Sequence, residues 1–293
     1  GAAPLTATML AMSTLATSGI TASDTLTTAP SFVSEAAILV FFVFAFSRES
    51  LLSLSRQSVR PILRRDPELK VAFALLLGVT LILFLRHWSG ALDVRDEANA
   101  LAAAKAVWGA LFTTASFLST SGLESAWWDS ARDWSGLSTP GLVLMALCLI
   151  GGGVATSAGG VKLLRIYALY KHGGRETERL VLPSSVGGAG REARRIRREG
   201  AFIAWVFFML FAVSLAVTML LLSMNGVSFE SAMILSASAL ANTGPLANVA
   251  ASTPLSYAAL SDAAKLTLCA AMVIGRLEAL AIIALLNPAF WRA

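Results

Sequence analysis

Three short segments of this chain repeat one pattern: Thr17-Ser18-Gly19-Ile20, Thr120-Ser121-Gly122-Leu123 and Asn242-Thr243-Gly244-Pro245. A weakly apolar stretch of about ten residues, too short to cross a bilayer, precedes each, and an apolar stretch of membrane length follows each. The hydrocarbon interior offers no partner for a free backbone group. A non-helical turn at that depth is therefore stable only where protein or a water-filled path surrounds it. The layout is that of a re-entrant pore loop used repeatedly, and it predicts that something crosses the membrane here.

Composition supports a membrane setting. The chain is 56% hydrophobic and 14% charged, against roughly 25% charged in soluble domains, and its mean hydropathy is +0.70. Cys148 and Cys269 sit inside apolar runs, which argues against a disulfide framework or a metal site. His87 and His172 end apolar segments and read as interfacial residues. A pI near 9.6 would suit a nucleic-acid partner, but the basic residues are concentrated in two loops, so no nucleic acid is expected.

Along the chain, residues 2–14 form a short segment before the first turn, and an apolar run from Phe32 to Phe46 continues amphipathically to about Ser58. Val71–Leu85 reads as a spanning helix, Ala100–Leu118 as an Ala-rich half-helix and Pro140–Ile150 as an apolar run. Trp127, Trp128 and Trp134 fit an interfacial aromatic belt. The apolar run breaks at Gly151–Gly160 and resumes over Val161–Tyr170. A basic stretch, Lys171–Arg198, follows with a Gly-rich hinge at 187–190. Phe202–Met224 is the next span, Phe229–Leu240 the third half-helix and Ala263–Leu286 the last span.

Six Lys/Arg lie between residues 46 and 71 and ten between 161 and 199, leaving seven elsewhere. The positive-inside rule assigns those two loops to the cytoplasm and the acidic mouths of the pore loops to the outside. Acidic mouths would concentrate cations, although outward loops are also simply non-basic. The repeat of span, half-helix, turn and span divides the chain into 1–66 (a partial unit with its cytoplasmic linker), 67–172, a basic cytoplasmic linker at 173–199, and 200–293. Repeats of this kind predict pseudo-symmetry around a shared site. The chain begins at Gly1 inside a loop–helix unit without a charged and apolar leader, so a fragment of a longer protein is expected.

The glycines have a chemical rationale. A carbonyl filter needs successive C=O groups aimed at one axis, and the left-handed backbone that produces such a line costs least at Gly. Ser, Thr and Asn beside it can satisfy freed backbone donors, and a half-helix aimed at the filter presents its negative end to a cation. Small residues also suit close helix packing; the threefold recurrence favours the pore.

The three loops, the break ending Gly159-Gly160-Val161-Lys162, and Gly275-Arg276-Leu277-Glu278 followed by Asn287-Pro288-Ala289-Phe290-Trp291-Arg292 resemble the Trk/Ktr potassium transporters, specifically a Trk-type membrane subunit. The resemblance implies an all-α membrane protein of tandem helix–pore-loop–helix repeats in pseudo-four-fold symmetry, of which this chain supplies the second (partial), third and fourth units. It implies a filter lined by carbonyls around Thr17, Ser18, Gly19, Ser119, Thr120, Ser121, Gly122, Asn242, Thr243 and Gly244, with K+ as the transported ion and no organic cofactor. It further implies an intramembrane gate at Gly151, Gly152, Gly153, Thr156, Ser157, Gly159 and Gly160, a homodimer of complete subunits, a cytosolic nucleotide-binding regulatory ring and a bacterial cytoplasmic (inner) membrane location. Departures occur at Leu246, where many relatives carry a second Gly, and at 154–158, where relatives often have more Gly.

Lys162 and Arg165 read as cations snorkelling to the cytoplasmic interface. Arg276 lies mid-run, where a charge is costly and usually functional, and is expected to face the pore or the gate loop; a structural salt bridge is the rival. The leading function is potassium uptake. Sodium or mixed permeation stays open, because in this family Gly or Ser in the first unit separates the two, as does the choice between passive conduction and symport. An intramembrane hydrolase would need a base beside its nucleophile, and neither His lies mid-membrane. A non-conducting scaffold would need no repeated Gly turns, although a truncated fragment could behave as one. Three filter strands cannot close a four-fold ring, so the isolated chain is expected not to conduct alone.

Overall fold

The computed structural model describes residues 4–20, 32–47, 66–89, 100–137, 139–154, 156–181, 198–251 and 255–277. Proline opens three of its helices, where the missing N–H costs nothing: α1 (Pro4–Ala16), α3 (Pro67–Ser89) and α6 (Pro140–Ile150). The others are α2 (Phe32–Phe46), α4 (Ala100–Leu118), α5 (Trp128–Ser135), α7 (Leu163–Val181), α8 (Arg198–Met224), α9 (Phe229–Ala241), α10 (Leu246–Ala250) and α11 (Asp262–Leu277), with a 3-10 turn at Tyr257–Ala259. The described residues contain helices and no strand, which is an all-α membrane architecture.

Among the described residues, three helices are long and apolar enough to cross a bilayer: Pro67–His87, Ala100–Leu118 and Gly200–Met224. They sit differently. Only 11% of the apolar window of α8 is buried by protein, against 56% for α4, so α8 offers Phe202, Ile203, Val213 and Leu220 outward while α4 runs through the interior. α4 has the bounds expected from its sequence, and its nineteen residues are enough to cross a bilayer rather than half of one. Its exposed start, with Leu101 turned outward, precedes an unbroken buried run from Phe112 to Leu118.

The core forms around that run. Phe42 of α2 meets Phe112 with ring centroids 5.9 Å apart, and Phe117, Leu118, Leu144 and Leu147 are buried together with them. A second cluster joins Leu222 of α8, Leu235 and Leu240 of α9, and Leu268 of α11. Of the turn-bearing helices, α4 and α9 are thus enclosed, whereas α1 packs on α2 and leaves Leu5, Met12 and Leu15 exposed.

Three sequence expectations change. The basic stretch after Tyr170 begins as helix, because α7 continues to Val181 through Gly173 and Gly174. Of the Trp residues expected in an interfacial belt, Trp128 and Trp134 are buried in protein and Trp127 is half-buried. Trp134 stacks on His87 at 3.9 Å and on Phe84 at 5.7 Å, and its indole N–H donates to the Phe84 carbonyl. His87 is correspondingly packed against protein. The hinge at 187–190, Glu278 and the 287–292 motif lie outside the described residues.

Candidate functional site: three pore-loop turns over a Gly-broken helix

Helices α1, α4 and α9 end in the same way. Thr17, Thr120 and Asn242 all have left-handed backbone, with φ of 49°, 60° and 55°. The amide of the next residue reaches back five positions in each: Ser18 N to Ser13 O at 3.1 Å, Ser121 N to Ser116 O at 2.9 Å, and Thr243 N to Ser238 O at 2.9 Å. This is the six-to-one bond of a Schellman cap. Its acceptor is a serine in all three units, six residues before the glycine, which the sequence reading missed. Aligning the half-helices one turn further upstream would have exposed it.

The first two turns then diverge from the third. Gly19 and Gly122 are left-handed, with φ of 64° and 71°. Among the described residues, the carbonyls of Thr17, Ser18, Gly19, Ser119, Ser121 and Gly122 accept no hydrogen bond. Ser119, Ser121 and Gly122 are buried, where an unpaired carbonyl is uncommon and calls for a reason. Thr120 O accepts only the Thr243 hydroxyl, at 3.3 Å.

After Gly244 the chain instead turns at once into α10. Thr243 O accepts Leu246 N at 3.1 Å and the Ser238 hydroxyl at 2.8 Å. Gly244 O accepts Ala247 N at 3.3 Å and the Tyr257 hydroxyl at 3.0 Å. A carbonyl oxygen has two lone pairs, so these two expected filter carbonyls are occupied in this conformation, and the Asn242 carbonyl is the open one in that turn. The physical cause is Pro245, whose fixed φ starts a helix. Tyr257, also missed from sequence, braces this turn from behind. Burial pushes its phenol above the ordinary range, so it stays a neutral donor.

The break expected between 151 and 160 separates α6 from α7 and lies directly beneath the turns. Gly159 N donates to the Thr120 hydroxyl at 2.8 Å, and the Thr17 hydroxyl donates to Ser157 Oγ at 3.1 Å. The Ser157 hydroxyl donates to Leu15 O at 3.2 Å. Gly159 has no space for a side chain, since a Cβ there would meet the Ala241 backbone. Gly152 and Gly153 lie equally close to the backbone of Ala45 and Phe46, and Gly151 and Gly160 face each other. The loop therefore touches all three turn-bearing units and α2.

Two cations hold the loop by its carbonyls. Arg276 of α11 donates to Ser157 O at 2.6 Å and to Ala16 O at 3.2 Å, which ties the loop to the end of α1. Lys162 does not snorkel to an interface. It is buried with φ of 83°, and its ammonium turns back onto the carbonyls of Ala158 and Thr156. Arg165 lies over the Phe207 ring at 3.6 Å.

On the outer side, Glu35 at the start of α2 is buried yet well paired. Its carboxylate accepts from Trp108 Nε1 at 2.7 Å, Ser125 Oγ at 2.9 Å and Ala126 N at 2.8 Å. It therefore clamps the segment that leaves the Gly122 turn. Glu124 is exposed as a residue, but protein crowding its carboxyl and, second, the Asp129 carboxylate push its pKa up.

A family profile described as "TrkH: Cation transport protein" matches residues 6–291. The chain is 32% identical over 233 residues to the Trk system potassium uptake protein TrkH of Escherichia coli K12, covering 78% of this chain and 44% of that protein. It is 28% identical to TrkI, a Trk system potassium uptake protein of Halomonas elongata, over 100% of this chain and 57% of that protein. The crystal structure of the potassium transporter TrkH from Vibrio parahaemolyticus superposes with a TM-score of 0.78 at 27% identity, over 99% of this chain and 60% of that one. The chain thus spans about half the length of the curated relatives it matches. It is a multi-pass membrane protein, and it belongs to the TrkH family of cation transport proteins.

Proposed function

We propose that this chain supplies three of the pore-loop units of a potassium-uptake pathway in the bacterial cytoplasmic membrane. The observation that carries the reading is the row of unpaired carbonyls in the first two turns. Two left-handed loops with the same cap, at Thr17–Gly19 and Thr120–Gly122, leave the carbonyl oxygens of Thr17, Ser18, Gly19, Ser121 and Gly122 without a donor among the described residues. Such oxygens suit a dehydrated monovalent cation, whose hydration shell they replace. The C-terminal ends of α1, α4 and α9 point to the same place and add their negative dipole ends. Thr243, Gly244 and Asn242 line the path on its third side, the first two as braced backbone and Asn242 through its open carbonyl.

In this reading residues 151–162 are the gate. The loop lies across the inner end of the turns and is pinned there by Arg276, Lys162 and the Thr120 hydroxyl. Two guanidinium and ammonium charges next to the exit oppose a resting cation until they move. Potassium uptake is also in the names of the relatives, which supports the choice of ion. The basic cytoplasmic linkers suit a cytosolic nucleotide-binding ring, and complete subunits pair as a homodimer.

The test is rubidium uptake by cells lacking their own potassium uptake and expressing the full-length gene, as wild type and as Gly122→Asp. Loss of uptake, or loss of discrimination against sodium, supports the filter. Uptake and selectivity indifferent to Asp at this position refute it and leave the turns as packing elements.

A further inference from the structure

The inner limb of the 151–162 loop is held by a carboxylate that none of the preceding functions uses. Glu68 lies in the first turn of α3 and is buried. Its Oε1 accepts the Val154 amide at 2.8 Å, and Gly153 N donates to Ala45 O at 2.9 Å beside it. Glu68 is itself set in position by Asp66, whose Oδ1 accepts the Glu68 amide at 2.9 Å. Asp66 Oδ2 accepts the Ser47 hydroxyl. Ser47 and Asp66 are the two described residues that bracket segment 48–65, which carries five arginines in sequence.

We infer that Glu68 is a positioning residue for the gate, and that Ser47, Asp66 and Glu68 form a clasp coupling the ends of the first cytoplasmic linker to the gate loop. The geometry has a direction. Cations hold the far limb of the loop by its carbonyls, and an anion holds the near limb by its amide. The far-limb anchors come from α11 and from the loop itself, whereas the near-limb anchor comes from the helix that the 48–65 segment feeds. Through the hydrogen bonds from Ser47 to Asp66, from the Glu68 amide to Asp66 and from the Val154 amide to Glu68, a shift of the end of α2 or the start of α3 is passed to Val154. A burial of this kind would be costly for a carboxylate without such donors, so a role confined to capping α3 does not explain why Glu68 reaches across to the loop.

The inference rests on the gate reading above, and its test separates the two. The full-length protein carries Val154→Cys, which keeps the backbone amide, in a Cys269→Ser background to remove the exposed native thiol. Modification by a membrane-impermeant thiol reagent from the cytoplasmic side and rubidium flux are both measured, with Glu68 and with Glu68→Ala or Glu68→Gln. Losing a hydrogen bond to a charged acceptor should raise the Val154→Cys modification rate roughly tenfold in Glu68→Ala. Gln keeps a carbonyl acceptor and should restore the rate to within about threefold of wild type. Asp66→Asn and Ser47→Ala should give smaller rises in the same direction. Equal modification rates in Glu68 and Glu68→Ala protein overturn the clasp. Faster modification with flux raised severalfold supports both clasp and gate, whereas faster modification with unchanged flux supports the clasp and refutes the gate reading beneath it.

Discussion

Replacing each turn glycine by alanine should produce a graded result that packing alone does not predict. Gly19 and Gly122 have left-handed φ of 64° and 71°, which costs an L-residue about 1–2 kcal/mol. That alone lowers the population of the native turn by a factor of roughly 5–30. Space then separates the two. At Gly19 a Cβ would lie well inside 3.0 Å of the Ser121 carbonyl oxygen, and 2.9 Å from Pro245 Cδ. The oxygen that must move is one of the unpaired carbonyls of the proposed filter, and it belongs to the neighbouring unit. At Gly122 a Cβ would lie 2.8 Å from Thr243 Cγ2 and 3.1 Å from Pro245 Cδ, and a methyl group at a side-chain end gives way more easily than backbone. Gly244 has neither left-handed φ nor any atom within 4 Å of a Cβ. Rubidium uptake and the rubidium-to-sodium ratio, measured on the full-length gene, should therefore fall most for Gly19→Ala, less for Gly122→Ala, and stay within about twofold of wild type for Gly244→Ala. Equal losses at all three positions, or a Gly244→Ala variant worse than Gly19→Ala, would refute the assignment of the ion path to the first two turns.

Three further outcomes follow from the braces around the turns. Tyr257→Phe removes a hydroxyl bonded to Gly244 O and Ser238, worth about 1 kcal/mol; the rubidium-to-sodium ratio should drop several-fold while protein yield is unchanged, and an unaltered ratio would make Tyr257 a bystander. Glu35→Ala leaves the Trp108, Ser125 and Ala126 donors without their buried acceptor at a cost of about 3 kcal/mol or more; the apparent Tm of purified protein should fall clearly, with Glu35→Gln intermediate. Glu124→Gln should raise the apparent Tm slightly at pH 7. The folded pKa of Glu124 lies above its ordinary 4.5, so the wild-type residue favours folding only when protonated and loses that contribution as pH rises. The advantage of Gln should vanish when the scan is repeated below pH 4.5, and solvent at this exposed residue keeps the effect small.

Much of the fold was legible because membrane helices announce themselves by hydropathy. The Phe32–Phe46, Ala100–Leu118 and Pro140–Ile150 runs are helices with those bounds, and the Gly-rich break does separate two helices. The turns were legible because left-handed backbone selects Gly and Asn, as at Gly19, Gly122 and Asn242, although Thr17 and Thr120 adopt it against the preference of β-branched residues. What stayed hidden depends on residues distant in sequence. Glu35 meets Ser125 ninety positions away, Glu68 meets Val154 across eighty-six, and no local pattern encodes either pairing. Lys162 was misread for a related reason. A cation ending an apolar break ordinarily reaches for water, but its φ of 83° turns the side chain back into the loop, where free carbonyls solvate it. The same physics accounts for both surprises. A backbone segment without helix or sheet at membrane depth leaves amides and carbonyls unpaired, so carboxylates gather at the one and cations at the other. Charges in the interior of this chain are therefore best sought wherever the helices break. In the function proposed above, the carbonyls of the first two turns that no side chain has claimed are the ones left for a cation that comes and goes.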